Sequence, residues 1–328
     1  MDFDKDGNMD LFVGGHIKPF DFPRYSSSFL LKNKGQGIFE KVDLPPTGMV
    51  TDACVVDLNQ DGWQDLLLVG EWMPVTPMLN QAGKTFSKPQ NPYPSLQGWW
   101  HTLASADLDK DGDLDFILGN HGLNTQLRAS EKEPATLIFG DFDDNLQTDF
   151  FINYYIQGKS YPACSRDEIS EQTPAFRKKF TSYQAFSTAE TATMLDESQA
   201  KKTKKLTINT LKTWVLENKN GQLIPHELPL QTQVAPVYAI AVADMNANGL
   251  PDLILSGNNS KLRMRLGGKT DANHGVLLIN RGNWKFEYVP ALQTALNLRG
   301  DVRSFVQVGD YWFAGINNEE VKIFKVNK

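Results

Sequence analysis

The chain has 328 residues, 41% of them hydrophobic, and a formal net charge of −6, enough length for one large β-domain or two smaller domains. It contains no basic stripe interleaved with aromatics, which argues against a nucleic-acid partner, and no apolar run of about eighteen residues that would mark a membrane-spanning helix. The two cysteines, Cys54 and Cys164, do not define a redox compartment, and the start shows neither a basic segment nor an apolar core of a signal peptide.

The first element is the stretch MDFDKDGNMDLFVGG, where Asp2, Asp4, Asp6 and Asp10 stand at positions 1, 3, 5 and 9 of a short loop with Gly7 at position 6. Four carboxylates in one turn repel each other unless a cation lies among them, and Gly7 allows the positive φ that a tight turn needs. An all-oxygen shell suits a hard cation such as Ca²⁺. The first half resembles an EF-hand loop, but position 12 is Val13 and the apolar LFVGG that follows reads as a strand. Next, SFLLKNKGQGIFEKVDLP reads as a hairpin of two alternating strands around an Asn/Gly turn.

The same unit then returns as DLNQDGWQDLLLVG from Asp57 and DLDKDGDLDFILGN from Asp107, at spacings of 55 and 50 residues. A copy from Asp141, DFDDNLQTDFFIN, has Leu146 in place of glycine and is expected to strain its turn. It reads either as the outer hairpin of the third unit, the preferred reading, or as a new unit. Residues 165–205 then interrupt the repeat as a helical insertion. Phe176, Phe180, Tyr183 and Phe186 fall on one helical face, and STAE (Ser187 to Glu190) is a capping-box signature for a second helix. LKTWVLENKNGQLIPHELP resumes the strand pattern, a fifth loop DMNANGLPDLILSGN starts at Asp244, and three strands close the chain.

Recurrence in one frame sets aside a chance acidic turn. Strand, acidic loop, strand and hairpin make four antiparallel strands per unit, which fits a propeller blade. The fold class expected is all-β: a β-propeller of four-stranded antiparallel blades with calcium-binding loops and a short helical insertion, forming a single domain over 1–328. Because no strand precedes Asp2, the chain reads as part of a longer secreted protein.

These loops, with GEWMP, GWWHTLASADLDKDGDLD, YPACSRDE, QVAPVYAIAVADMN and GDVR, resemble the FG-GAP or VCBS repeats of integrin alpha-subunit propellers, and more closely the VCBS-repeat surface proteins of Bacteroidetes. The resemblance implies calcium held by side chains at positions 1, 3, 5 and 9 and by the carbonyl at 7. Carried onto this chain, that gives Asp2, Asp4, Asp6, Asn8 and Asp10; then Asp57, Asn59, Asp61, Trp63 and Asp65; then Asp107, Asp109, Asp111, Asp113 and Asp115. The departing loops offer Asp141, Asp143, Asn145 and Asp149, and Asp244, Asn246, Asn248 and Asp252.

His16 and His121 occupy the same repeat position, just after the second strand of a unit, and Glu71, Trp72 and Asn258 fall at equivalent positions. With Trp99, Trp100, Arg263 and Arg303 they are expected to rim one funnel suited to a sugar or peptide. The competing reading gives them turn and gap-filling duties. The sequence thus reads as a calcium-stabilised binding or scaffold module of a secreted or cell-surface protein, with a glycan or protein ligand. The alternative is a propeller-based enzyme of glycan or phosphoester metabolism. The clustered aspartates are accounted for by calcium, and no H-E-x-x-H or G-x-S-x-G motif is present.

Overall fold

The structure, a computed structural model, describes residues 1–89, 96–262, 268–294 and 296–325. Its ladders are antiparallel, and the strands follow a meander in most of the chain. The first sheet holds β1 (Leu11–Val13), β2 (Phe29–Asn33) and β3 (Phe39–Asp43). The second unit holds β4 (Met49–Val56), β5 (Asp65–Pro74), β6 (Thr76–Asn80) and β7 (Phe86–Ser87). The third begins with β8 (Gln97–Ala106) and β9 (Asp115–Asn120). Because β5 runs on past the end of β6, Glu71 pairs with Trp99 and the second and third units merge into one eight-stranded sheet.

The third unit then pauses for a separate four-stranded sheet. β10 (Ala135–Gly140), β11 (Asp149–Ile156) and β12 (Lys159–Pro162) are followed by five short helices, α1 (Arg166–Gln172), α2 (Ala175–Lys179), α3 (Tyr183–Ser187), α4 (Thr191–Met194) and α5 (Glu197–Lys202). β13 (Lys204–Ile208) returns to pair with β10, giving the order β12-β11-β10-β13. Only then do β14 (Trp214–Lys219) and β15 (Gln222–Glu227) complete the third unit, β14 pairing with β9. The Asp141 loop therefore joins β10 to β11 of this extra sheet, and is neither the outer hairpin of the third unit nor its immediate successor. Hydrogen bonds hold the two ends of the detour together: Gly122 N–H donates to the Leu211 carbonyl at 2.8 Å and Asn120 N–H to Thr213 Oγ1 at 3.2 Å.

The fourth sheet is β16 (Val237–Ala243), β17 (Asp252–Gly257), β18 (Val276–Asn280) and β19 (Phe286–Val289). The last is β20 (Val302–Val308), β21 (Tyr311–Ile316) and β22 (Lys322–Lys325). Each sheet alternates its side chains between two faces, and facing sides of neighbouring sheets are covered because the units pack on one another in sequence. Phe3, Leu30, Val50 and Leu66 fill the space between the first and second units, and Leu67, Val69, Phe116 and Leu216 the space between second and third. Ile117, Val215, Leu253 and Leu278 lie between third and fourth, and Ala239, Ile254, Val302 and Trp312 between fourth and fifth.

The aromatic run in the helical segment does not form one continuous helix. α2 ends at Phe180, whose ψ of 82° leaves the helical region, and α3 starts after Ser182. Phe176, Phe180 and Phe186 still share a core with Ile169 and Met194, while Tyr183 stays exposed and donates its hydroxyl to Asp167 at 2.6 Å. STAE forms no capping box, because Ser187 is the last residue of α3 and its hydroxyl turns back to the Gln184 carbonyl. Capping boxes form instead at Ser165 with Glu168 and at Asp196 with Gln199. No disulfide joins Cys54 and Cys164.

Since the sheets cohere through these interfaces, truncating one fully buried ring should be costly. Phe116→Ala is expected to lower unfolding stability by about 3–5 kcal/mol. Urea denaturation of the two proteins measures it, and a loss under about 1 kcal/mol would show that the interface collapses around the cavity instead.

Candidate functional site

The acidic loops share one backbone path. Position 4 takes positive φ in each of the five (Lys5, Gln60, Lys110, Asp144, Ala247), as does position 6 (Gly7, Gly62, Gly112, Leu146, Gly249). The position-1 carboxylate accepts the N–H of position 6, as from Gly62 to Asp57 at 2.8 Å and from Gly249 to Asp244 at 2.9 Å. The position-5 side chain accepts the N–H of position 7, as from Asp113 to Asp111 at 2.9 Å. These bonds curl the loop and turn the remaining oxygens toward its centre. Leu146 confirms the rule by adopting the same left-handed conformation, φ 66°, with its side chain 95% exposed.

Three loops gather acids tightly. Ligand oxygens of Asp2, Asp4 and Asp6 lie within 4.8 Å of one another, as do those of Asp107, Asp109 and Asp115, and of Asp141, Asp143 and Asp149. In these same loops Asp2 Oδ1, Asp4 Oδ1, Asp107 Oδ1 and Asp143 Oδ1 are shielded from water and have no hydrogen-bond partner. Clustered, unpartnered carboxylate oxygens are a donor set that fits a hard divalent cation. The Asp57 and Asp244 loops form no such acid cluster among the described residues. In the former Asn59 donates to Asp61 at 3.0 Å, and in the Asp57, Asp141 and Asp244 loops alike both oxygens of the position-1 carboxylate accept loop amides. Asn246 and Asn248 likewise accept loop N–H groups. Lysine supplies local countercharge in two places, Lys32 on Asp4 and Lys202 on Asp144.

The position-9 aspartates have a further duty. Asp10, Asp65, Asp115, Asp149 and Asp252 are at most 2% exposed, although Asp115 and Asp149 still reach the other acids of their loops. One oxygen of each accepts the N–H of position 2: Phe3, Leu58, Leu108, Phe142 and Met245 donate at 2.7–3.0 Å. In all but Asp149 the other oxygen accepts an asparagine N–H at the end of the third strand of the unit, from Asn33, Asn80, Asn218 and Asn280 at 2.7–2.9 Å. Sequence reasoning missed these asparagines. Their signal was the recurrence of NKG, NQAG, NKNG and NRG in the hairpins that follow each loop. Burial pushes the Asp115 carboxyl up to about 7, against the pull of its two amide donors, and raises Asp65, Asp109, Asp149 and Asp252 as well.

A second cluster forms at the other end of the sheets. β5 separates Asp65 from Glu71 by six residues, about 20 Å at the rise of an extended strand. At that end a Cβ on Gly70 would stand 2.0 Å from the Met49 carbonyl, and one on Gly257 1.9 Å from that of Pro236, so glycine is needed for the close approach of neighbouring strands. Beyond these glycines the expected rim residues assemble in part. His16 Nε2 lies 3.6 Å from Glu71, Trp72 and Trp99 have ring centroids 5.4 Å apart, and Trp99 stacks on His121 at 4.7 Å. Arg303 joins them through Tyr238, over whose ring its guanidinium lies at 4.1 Å.

Two of the expected rim residues are elsewhere. Trp100 points into the core and donates its Nε1–H to the Met73 carbonyl at 3.1 Å, because strand alternation sends it opposite to Trp99. Asn258 is fully buried and donates to the carbonyls of Asn273 and Gly300, a turn-holding duty. Arg263 lies outside the described residues. His101 and Tyr238 were not foreseen as members, although the i, i+2 spacing of Trp99 and His101 on one strand face was the available signal. His101 stacks on Tyr238 at 4.2 Å and lies 5.8 Å from His121. Burial lowers His121 to about 4, with Glu71 opposing, and holds His101 well below the usual histidine value, so both imidazoles are neutral at pH 7.

Comparison with known proteins places the repeats. A family model described as FG-GAP-like repeat matches residues 2–68 and 57–118, so the loops at Asp2, Asp57 and Asp107 lie in FG-GAP-like repeats. No curated protein matches the chain. Among solved structures, the chain is similar to the Vibrio cholerae biofilm matrix protein Bap1, at 8% identity and a TM-score of 0.32, over 92% of this chain and 67% of that one.

Two outcomes are expected from the loop geometry. Leu146→Gly relieves a left-handed leucine with no packing lost, and should raise stability by about 1 kcal/mol, read as a higher denaturation midpoint. The raised carboxyls add a pH dependence: their folded-state values exceed the unfolded ones, so their contribution is full below about pH 4 and is lost as pH rises through about 7 for Asp115. In chelator, melting temperature should therefore fall between about pH 4 and 7, and millimolar Ca²⁺ should flatten that fall by favouring the ionised carboxylates. Parallel slopes in both buffers would refute the link.

Proposed function

We propose that this chain is a calcium-stabilised β-propeller that serves as a binding or scaffold module of a secreted or cell-surface protein, with a glycan or protein ligand. The observation that carries the reading is the set of three loops whose carboxylate oxygens converge within 4.8 Å and include buried oxygens with no partner. Face-to-face packing of successive antiparallel sheets, with an acidic loop at the same end of all but the last, supports the propeller. The FG-GAP-like match supports the repeat module.

In this reading Asp2, Asp4 and Asp6, then Asp107, Asp109 and Asp115, then Asp141, Asp143 and Asp149 would hold Ca²⁺. The ion would neutralise carboxylates that otherwise repel. It supplies structure and no reaction. The chain's own residues do the rest: the position-4 and position-6 turns set the shell, and the position-9 aspartates bind it to the hairpin.

The test is thermal unfolding with Ca²⁺ and with chelator. Extracellular-type sites bind near 10⁻⁴ to 10⁻³ M, and free ion at ten times Kd contributes about 1.4 kcal/mol per site. An upward shift that Asp109→Ala diminishes is expected. An unchanged midpoint in chelator would sink the proposal.

A further inference from the structure

The geometry points to the cluster opposite the acidic loops as a binding site for a neutral saccharide, an inference that rests on reading the chain as a binding module. Its core is a chain of ring contacts, two stacked and two tilted, from Arg303 through Tyr238, His101, His121 and Trp99 to Trp72. The members come from the second, third, fourth and fifth units, and the first unit adds His16. Its mouth is open to solvent, with side-chain exposures of 41% for His16, 29% for Arg303 and 20% for Glu71.

Five ring nitrogens here are shielded from water and lack a hydrogen-bond partner: His16 Nε2, Trp72 Nε1, Trp99 Nε1, His101 Nε2 and His121 Nδ1. Buried polar atoms in folded proteins are nearly always satisfied, so a concentration of orphans calls for an external partner. Apart from the acidic loops, no comparable concentration occurs among the described residues. Trp72 adds a second sign, because a bulky aromatic at φ 54° is a conformational outlier of the kind that clusters at ligand clamps.

The polar inventory selects the ligand class. An indole N–H only donates, whereas a neutral imidazole presents one donor and one acceptor. Glu71 adds acceptors and Arg303 adds donors. An anion would meet the Glu71 carboxylate, and a cation would meet Arg303 and the donor-only indoles. A hydroxyl both donates and accepts, so it can satisfy every one of these groups. Several hydroxyls on a ring with apolar C–H faces, as in a pyranose, match a wall of aromatic rings carrying polar edges.

The experiment titrates the protein, in saturating Ca²⁺, with hexamers of glucose, mannose, galactose and N-acetylglucosamine, following tryptophan fluorescence and heat. Saturable binding of at least one hexamer is expected, weakened tenfold or more by Glu71→Gln and by His101→Ala. Tyr183→Ala, at an exposed position in the helical segment that shares no contact with the cluster, should leave it unchanged. Glu71→Gln is nearly isosteric, so it keeps the test open if His101→Ala fails to fold. Failure of all four hexamers to bind, binding that survives Glu71→Gln, or binding only of polyuronate or of a peptide pool would each overturn the inference. Because the melting comparison with chelator is read separately, loss of this site and loss of the calcium reading give different results.

Discussion

The architecture depends on a buried aspartate at position 9 of each acidic loop. In four of the five loops its two oxygens receive two backbone N–H groups, one from the start of the same loop and one from the asparagine that ends the third strand. A charged acceptor strengthens such bonds roughly twofold over neutral ones. The asparagine then extends the clamp beyond its own sheet. Asn80 Nδ2 donates to the Phe3 carbonyl in the preceding unit's loop at 2.8 Å, and Asn280 Nδ2 to the Leu108 carbonyl at 2.8 Å. One carboxylate thus fixes a loop to a hairpin, and the hairpin fixes the neighbouring loop. The acidic loops are held in register with one another whatever occupies their centres.

That clamp separates two roles that the sequence runs together. Aspartates at positions 1 and 3 are the ones left with unpartnered oxygens, as in Asp2, Asp4, Asp107 and Asp143, while a position-9 residue such as Asp10 is already committed to amides on both sides. A carboxylate oxygen has two lone pairs, so Asp115 and Asp149 can do both, and both stand within reach of their loop's other acids. Their burial makes ionisation costly, which couples occupancy of the loop to integrity of the hairpin.

Much of this was legible in the sequence because it is periodic. The loops, the strands flanking them and the hairpins recur in one frame, and local spacing alone reveals them. What was not legible depends on where the chain goes in between. The Asp141 loop has the right spacing for the family motif, yet its strands pair with Lys204–Ile208, more than fifty residues on, and no local pattern encodes that partner. Side-chain orientation within a loop is hidden for a similar reason. The Asp57 loop matches the motif well, but Asn59 donates to Asp61, a matter of rotamer and not of residue type. Of the rim residues, Trp100 was misplaced by one step of strand alternation, which reverses the face to which a side chain points.

The extra sheet also has a place in the argument about function. It leaves the third unit after His121 and returns at Thr213, at the end of the sheets that carries the aromatic cluster. Its inner residues Ala135, Leu137 and Ile208 pack with Met49 and Trp72, and Trp99 leans on the same group. Trp72 is therefore held between the second unit and the insertion, and its left-handed backbone is supported from both sides. A strained aromatic persists only where its surroundings over-determine it, and here the insertion supplies half of those surroundings. The detour in the chain is thus part of the wall of the cluster, built at the end of the strands where the acidic loops impose no geometry.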